Sequence, residues 1–273
     1  MSEVTIVATD LDGTLLNSEK QVSKANQNAI SKLKEHGILF GIASGRPVET
    51  IRAMLSDWGI EDSVSFILGM NGGAFYDMRQ RSKEDYNLMD GKVILEIIHF
   101  FQDLDVYFQV LVGEIRFTSR SDALTQASAK LFGETEIEVD METFLPNRMV
   151  NKLIMQCDPA YMPVVVERAS QFRHKDCVGF LSAKNLFEYV DPVINKAFGL
   201  KRACQHFGCS MEHAIAFGDA GNDIAMLSMA GHGICMKNGT SDVKAVASYV
   251  SPYTNDEDAF AHYIEEFVLK EAK

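Results

Sequence analysis

Several things are scarce in this sequence, and each scarcity closes off a class of protein. Cysteines stand only at 157, 177, 204, 209 and 235. The set is odd and scattered and contains no Cys-x-x-Cys, so we expect reduced, buried thiols in a cytoplasmic protein rather than a disulfide framework. Cys204 and Cys209 lie near His206 and His213, but their spacing matches no familiar zinc pattern. Basic residues are outnumbered, 26 Lys and Arg against 38 Asp and Glu, which gives a net charge of −12. A nucleic-acid surface needs clustered Lys and Arg to meet the phosphates, so this balance argues against one. A small anionic substrate remains compatible if a few cations are placed locally. No basic-then-apolar signal opens the chain, and no apolar run approaches the ~20 residues that span a bilayer, so no membrane association is expected. There is no internal repeat and no low-complexity segment.

What is present is the composition of an ordinary globular protein, 47% hydrophobic and 23% charged over 273 residues. That length can bury one large core or two smaller ones. The most informative stretch runs from Val4 to Thr14. Its apolar, β-branched start reads as a buried strand, and Gly13 stops it. Asp10 and Asp12 then fall where strand hands over to loop, which is where open α/β sheets place their chemistry. Two apart on an ideal strand, they would face the same side. Paired carboxylates suit a hard divalent cation, and they also suit a division of labour between nucleophile and acid/base. The competing reading is a solvated Asp-x-Asp-Gly turn.

The rhythm that follows is strand, helix, strand, helix, strand. Ser23 caps a helix to His36 that Gly37 closes, and residues 38–43 form a strand ending in Ser44-Gly45-Arg46-Pro47. Pro47 fits the first position of the next helix, and residues 64–68 form a third strand ending at Asn71-Gly72-Gly73. This order implies a parallel sheet with crossovers. From about residue 83 the pattern changes. Helices over 93–104, 122–132 and 162–172 alternate with strands over 106–112, 115–118, 150–157, 177–181 and 186–190, suggesting an antiparallel sheet. We therefore expect a core of residues 1–83 and 191–273, interrupted by a second α+β domain at 84–190. The α/β rhythm resumes with a helix from Asn195 and a strand over 214–217 that ends in Gly218-Asp219-Ala220-Gly221-Asn222-Asp223. It closes with an amphipathic helix over 258–269.

Three groups thus recur at the ends of expected parallel strands: Asp10 with Asp12, Ser44 with Gly45, and Asp219 with Asn222 and Asp223. A parallel sheet gathers such ends on one edge. Acidic groups there can bind a divalent cation, while Ser44 and the following amides offer donors to an anion. Lys196, at a helix start, can add a point charge for phosphate. Each residue alone has a structural reading, as helix cap or solvated surface group; together they point to one site.

In this order, Asp-Leu-Asp-Gly-Thr at 10–14, Ser-Gly-Arg-Pro at 44–47, Asn-Gly-Gly at 71–73, Lys196 and Gly-Asp-x-x-Asn-Asp at 218–223 resemble the haloacid dehalogenase (HAD) superfamily. Within it the resemblance is to Cof-type, sugar-phosphatase-like hydrolases with an inserted α/β (type IIB) cap, and it covers essentially the whole chain. It implies a Rossmann-like parallel-sheet core and a Mg2+-dependent phosphatase acting on small phosphorylated metabolites such as sugar phosphates. Asp10 would be the nucleophile and Asp12 the general acid/base, with a raised pKa for Asp12. Asp10, Asp219 and the backbone carbonyl of Asp12 would hold the metal, and Asp223 would orient its neighbours. The Leu11 amide, Ser44, Gly45, Lys196 and Asn222 would hold phosphoryl oxygens. Arg46 either supports the phosphate site or pairs with an acid, with support favoured. Asn71 and Gly72 are candidates for a substrate or hinge role. Phe180, Lys184 and Asn185 are candidate specificity residues in the cap, which would close over the site and exclude water. Ala197 stands where the family usually has glycine, and Glu257-Asp258-Ala259 and Asn238-Gly239 depart from its usual Glu-Asp-Gly and Asn-Ala. Two other classes stay open: a phosphomutase, which needs extra cap cations that Arg116, Arg120, Lys130, Lys152 and Lys184 do not obviously cluster to provide, and a non-catalytic metabolite-binding protein. A dehalogenase would have no use for Asp12 as proton donor. A monomer or homodimer is expected.

Overall fold

Residues 4–270 are described by a computed structural model. Its secondary structure begins with β1 (Ile6–Thr9), α1 (Lys24–Glu35), β2 (Leu39–Ala43), α2 (Val48–Met54), β3 (Phe66–Gly69), β4 (Ala74–Asp77) and β5 (Ser82–Asp85). There follow β6 (Met89–Asp90), α3 (Gly91–Phe101), β7 (Tyr107–Val112), β8 (Ile115–Thr118), α4 (Ala123–Leu131) and β9 (Thr135–Glu138). Next come α5 (Met141–Phe144), β10 (Met149–Val150), β11 (Lys152–Gln156), α6 (Met162–Ala169), β12 (Val178–Ala183) and β13 (Leu186–Val190). The chain ends with α7 (Lys196–Phe207), β14 (Ala214–Gly218), α8 (Ile224–Met229), β15 (His232–Cys235), α9 (Ser241–Val246), β16 (Tyr249–Val250) and α10 (Ala259–Tyr263). Contacts divide it into two compact units, one running to Glu84 and resuming at Asn195, the other Asp85–Ile194.

In the first unit the strand order is β16-β15-β14-β1-β2-β3-β4-β5. Pairing is parallel from β16 through β3, and β4 returns antiparallel to β3. The chain leaves β1 towards β2 on one side and comes back on its other side as β14, so β1 marks the point where strand order reverses, which is where α/β sheets bind ligands. All four β1 side chains are buried, as a central strand covered on both faces requires. Phe40 and Phe217 reach Phe260 of α10, with ring centroids 5.7 and 4.8 Å apart. Phe66 packs on Phe207 of α7 beside Gly41, where a Cβ would fall 2.3 Å from the Phe66 ring. Because Phe40 and Gly41 are successive strand residues, they point to opposite faces, so α10 and α7 cover opposite sides of the sheet.

Local rules account for the element ends. Ser23 accepts from the Asn26 amide at the start of α1, as its position predicts. Pro47 sits one residue earlier than expected, as the N-cap of α2 with extended ψ rather than as its first helical residue. The final helix changes to a wider π turn over Ile264–Val268.

The second unit has a sheet of order β12-β13-β11-β7-β8-β9, antiparallel except between β8 and β9. The hairpin expected around Gly113 forms, with Gly113 at φ +61. The single strand expected over 150–157 is interrupted at Asn151 and gives β10 and β11. One sheet face builds an apolar cluster with α3 and α6, including Ile94, Phe101, Val110, Leu153, Val165 and Tyr189. Alternate positions on the same strands, Gln109, Lys152, Gln156 and Glu188, are buried and polar.

Candidate active site

Strand register brings the expected groups together. Thr9, the last residue of β1, is level with Phe217 on β14 and Ile42 on β2, so Asp10, Gly218-Asp219 and Ala43-Ser44 all emerge at one edge. The Asp10 amide donates to Phe217 O at 3.0 Å, fixing the residue at the strand tip. The strand ends at Thr9, so Asp12 already lies in the loop beyond it, where it forms an isolated bridge with Leu16. The two aspartates therefore do not share a strand face, and their side chains have different partners.

Asp10 is 7% exposed. Its Oδ1 accepts from Lys196 Nζ at 2.5 Å, and the same ammonium donates to Asp223 Oδ1 at 2.6 Å. Lys196 is wholly buried at the first position of α7, whose N-cap Asn195 accepts from the Phe198 amide. The lysine expected to meet phosphate thus bridges two carboxylates here. Asp223 uses its other oxygen to accept from the Asp219 and Ala220 amides, each at 3.0 Å, which holds the loop carrying Asp219 in shape. Thr14 Oγ1 donates to Asp219 Oδ1 at 2.8 Å. Gly13, at φ +84, lets the backbone pass where a Cβ would lie 2.5 Å from Asp219 Oδ2.

Carboxylate oxygens of Asp10, Asp219 and Asp223 lie within 4.8 Å of one another. Burial, opposed by Lys196 and reinforced by the other two carboxylates, pushes the Asp10 carboxyl well above its usual range. Burial likewise pushes Asp219 up to about 6, against the Thr14 hydrogen bond. Lys196 is held protonated by Asp10 and Asp223, which outweigh its own burial. Three hard oxygen donors facing one ammonium form a set that fits a small divalent cation.

Asp12 departs from expectation. Arg46 grips it through Nη2, at 2.9 and 2.8 Å from its two oxygens, and through Nε at 3.2 Å. Lys20 Nζ adds a bond at 2.8 Å. Burial alone would raise the Asp12 carboxyl, but Arg46 and Lys20 outweigh it and hold the group below the usual carboxylate range. This corrects the expected raised pKa, and Arg46 proves to be a carboxylate partner. Neither Lys20 nor Thr14 was assigned a role from sequence. Lys20 lies in a turn at φ +59 with its carbonyl accepting from Trp58 Nε1, an arrangement no local motif announces.

The remaining candidates lie close by. The Leu11 carbonyl accepts from the amides of Thr14, Leu15 and Leu16, tightening the loop after β1. Ser44 is buried, and its Oγ accepts from the Arg46 amide at 3.2 Å. Asn71 donates its amide to Ser44 O and accepts from Asn222 Nδ2 at 3.2 Å, joining the loops after β2, β3 and β14. Gly45 packs against the Asn71 side chain. Met70, Asn71 and Gly72 all take positive φ, an uncommon state for the first two. Gly72 is fixed by helix packing: a Cβ there would lie 2.4 Å from Asn195 O and 3.0 Å from the Gly199 amide. In the second unit, Phe180 lies on β12 opposite Glu188. Lys184 and Asn185 form the turn to β13, where Asn185 O accepts from the Cys157 amide.

Comparison with known proteins agrees with this geometry. A family model described as haloacid dehalogenase-like hydrolase matches residues 7–264. A 5-amino-6-(5-phospho-D-ribitylamino)uracil phosphatase of Bacillus subtilis is 27% identical, over 96% of this chain and 97% of that one. An HMP-PP phosphatase of Cronobacter sakazakii is 28% identical over 94% and 93%. The crystal structure of a haloacid dehalogenase-like hydrolase from Bacteroides thetaiotaomicron superposes with a TM-score of 0.84 at 28% identity, over 96% of this chain and 99% of that one. No helix among the described residues is long and apolar enough to cross a membrane. With Asp10 at the tip of the strand where the sheet order reverses and a family match over nearly its whole length, the chain belongs to the haloacid dehalogenase-like hydrolases of the Cof type, and it is a phosphatase of that family.

Proposed function

We propose that the chain hydrolyses phosphate monoesters of small polyhydroxylated metabolites, sugar phosphates in particular, through a phosphorylated Asp10. The observation that carries this reading is the buried Asp10 carboxylate, held by Lys196 beside two further carboxylates and one turn away from a separately anchored Asp12. Asp10 Oδ attacks phosphorus, and the ester P–O bond breaks. The departing oxygen takes a proton from Asp12. Water then attacks the aspartyl-phosphate, giving its proton to Asp12; the P–O bond to Asp10 breaks, and inorganic phosphate leaves. Lys196, the Ser44 hydroxyl, the Leu11 and Gly45 amides and Asn222 meet the charge on the transferring group. Asp10, Asp219 and the Asp12 carbonyl would hold Mg2+, with Asp223 behind them, and the bound cation would supply further positive charge for the phosphoryl oxygens. For the first step Asp12 must carry a proton, so its grip by Arg46 and Lys20 has to loosen when substrate enters.

The relative acting on a phospho-D-ribityl compound supports a polyol phosphate as substrate class, and the inserted unit, with Phe180, Lys184 and Asn185, is proposed to select among such substrates. A phosphomutase is less well supported. Three of the cations it would need to hold a second phosphate are engaged within the inserted unit: Arg116 with Glu134, Arg120 with Asp105 and Lys152 with Glu188.

The test is phosphate release from a panel of sugar phosphates, nucleotides and an aryl phosphate, with Mg2+ or with chelator. Metal-dependent release is expected, reduced by about 10³-fold or more in Asp10→Asn. Release that survives this substitution or chelation would sink the mechanism.

A further inference from the structure

The inserted unit holds a cleft of about 430 Å³ whose lining includes Val166, Phe172, Arg173, Gly179, Phe187 and Tyr189. None of these residues belongs to the carboxylate site. Gly179 on β12 pairs with Tyr189 on β13, and a Cβ at 179 would lie 2.7 Å from the Tyr189 ring and 2.6 Å from that of Phe187. Glycine there leaves room for both rings to lie along the strand, with the Tyr189 Cζ 2.9 Å from where a Cβ would stand. Tyr189 meets Phe172 edge-on with ring centroids 5.7 Å apart, and Phe187 at 5.4 Å.

Tyr189 is 3% exposed, and its hydroxyl has no hydrogen-bond partner. Buried phenols ordinarily find one, because an unpaired polar group in the interior is destabilising. At the rim, Arg173 is anchored by a bond from Nη1 to Phe172 O at 2.7 Å, and its charge opposes the burial that pushes the Tyr189 phenol up. His174 stacks on Phe172, with ring planes 15° apart.

We propose that this cleft binds a small planar aromatic carboxylate. Aromatic walls favour a flat ring, whose faces and edges they can meet in offset or T-shaped contact. The unpaired hydroxyl calls for an acceptor, and a cation at the rim favours an acceptor that carries negative charge. The volume falls in the range of small-molecule pockets. A phosphate ion would satisfy the charge but leave the aromatic lining unused.

The probe is para-fluorobenzoate, titrated into the full chain and followed by fluorine NMR. Saturable binding is expected, weakened about tenfold in Tyr189→Phe, where one hydrogen bond is lost, and several-fold in Arg173→Ala. The uncharged para-fluorobenzamide is expected to bind at least about tenfold more weakly. Excess inorganic phosphate with Mg2+ is expected not to displace the probe. Tyr189→Phe removes an atom without a partner, so its melting temperature without ligand should be unchanged or higher, which keeps the binding result interpretable. Absence of saturable binding, affinity indifferent to both substitutions, or displacement by phosphate would each overturn the proposal.

Discussion

Both units bury charge, but they balance it differently. In the core, Asp10, Asp219 and Asp223 converge around a single ammonium, that of Lys196. In the inserted unit, Lys152 faces Glu188 at 3.0 Å, and Arg116 pairs with Glu134, all of their side chains nearly inaccessible. A buried carboxylate matched by a cation of its own offsets the cost of desolvating both ions and specifies which segments meet. A cluster with surplus negative charge does neither, and such clusters concentrate at functional sites, where a bound cation or substrate can offset the surplus. Burial of charge alone is thus a poor guide to chemistry; unmatched buried charge is a better one. The same contrast separates Asp12 from Asp10. Two residues apart in sequence, one has two cations for a single carboxylate and the other shares one cation with its neighbours.

The largest effect expected from this comparison lies in the inserted unit. Lys152→Ala leaves Glu188 without its ammonium in a site 4–6% exposed, and should cost about 3–5 kcal/mol in urea unfolding. If the pair is structural and balanced, Lys152→Met combined with Glu188→Leu should recover most of that loss, because two apolar residues replace two ions. Failure of the double variant to recover would show that this pair, too, has work beyond structure.

The part of the molecule legible in advance was the part written in local patterns. Asp10, Ser44 and Asp219 each follow a short apolar run, and the alternation of runs and helices is enough to set those strand tips side by side. Ser23, Gly37, Gly113 and Asn195 act through their own backbone neighbours, so their roles could be read directly. What could not be read depends on partners distant in sequence. Arg46 finds Asp12 across 34 residues, and Gly72 is dictated by Asn195 and Gly199 on a helix more than a hundred residues away. Strand β9 reads Thr-Glu-Ile-Glu, almost without buried side chains, and leaves too weak a pattern for recognition. Strand β4 was recoverable: Ala-Phe-Tyr-Asp after two glycines, all buried, is a hairpin return.

A smaller effect shows that the contrast concerns charge balance rather than the unit in which a residue sits. Asp77, in the core, accepts from the Arg79 and Gln80 amides at 2.8 Å each and bonds His206 Nε2 at 2.7 Å. Burial would raise this carboxyl, but its three partners prevail and hold it below the usual range. A carboxyl depressed in the folded state stabilises the fold above its unfolded pKa of ~3.9 and loses that contribution as pH falls through the lower, folded value. Asp77→Asn should therefore cost about 2 kcal/mol at neutral pH. The difference between variant and wild type should shrink as unfolding is measured at pH values below about 4. A difference independent of pH would mean that the ionised form is not what the amides and His206 stabilise.

The smallest and most discriminating change is Asp219→Asn, which reduces the surplus charge itself. Asparagine keeps an oxygen to accept from Thr14 Oγ1, so local geometry is little disturbed while one of three crowded carboxyl groups can no longer ionise. Without divalent cation, the variant should be more stable than wild type by about 1 kcal/mol, since repulsion from Asp223 and Asp10 is relieved. With Mg2+ the order should reverse. A ligand that binds only the folded state stabilises it by about 2.7 kcal/mol at a hundredfold excess over its dissociation constant, and the variant has lost one of the donors that create that affinity. Thermal unfolding in chelator and in Mg2+ measures both halves. An Asp219→Asn protein less stable than wild type in chelator would mean that the cluster is already balanced, and that its three carboxylates resemble the paired charges of the inserted unit after all.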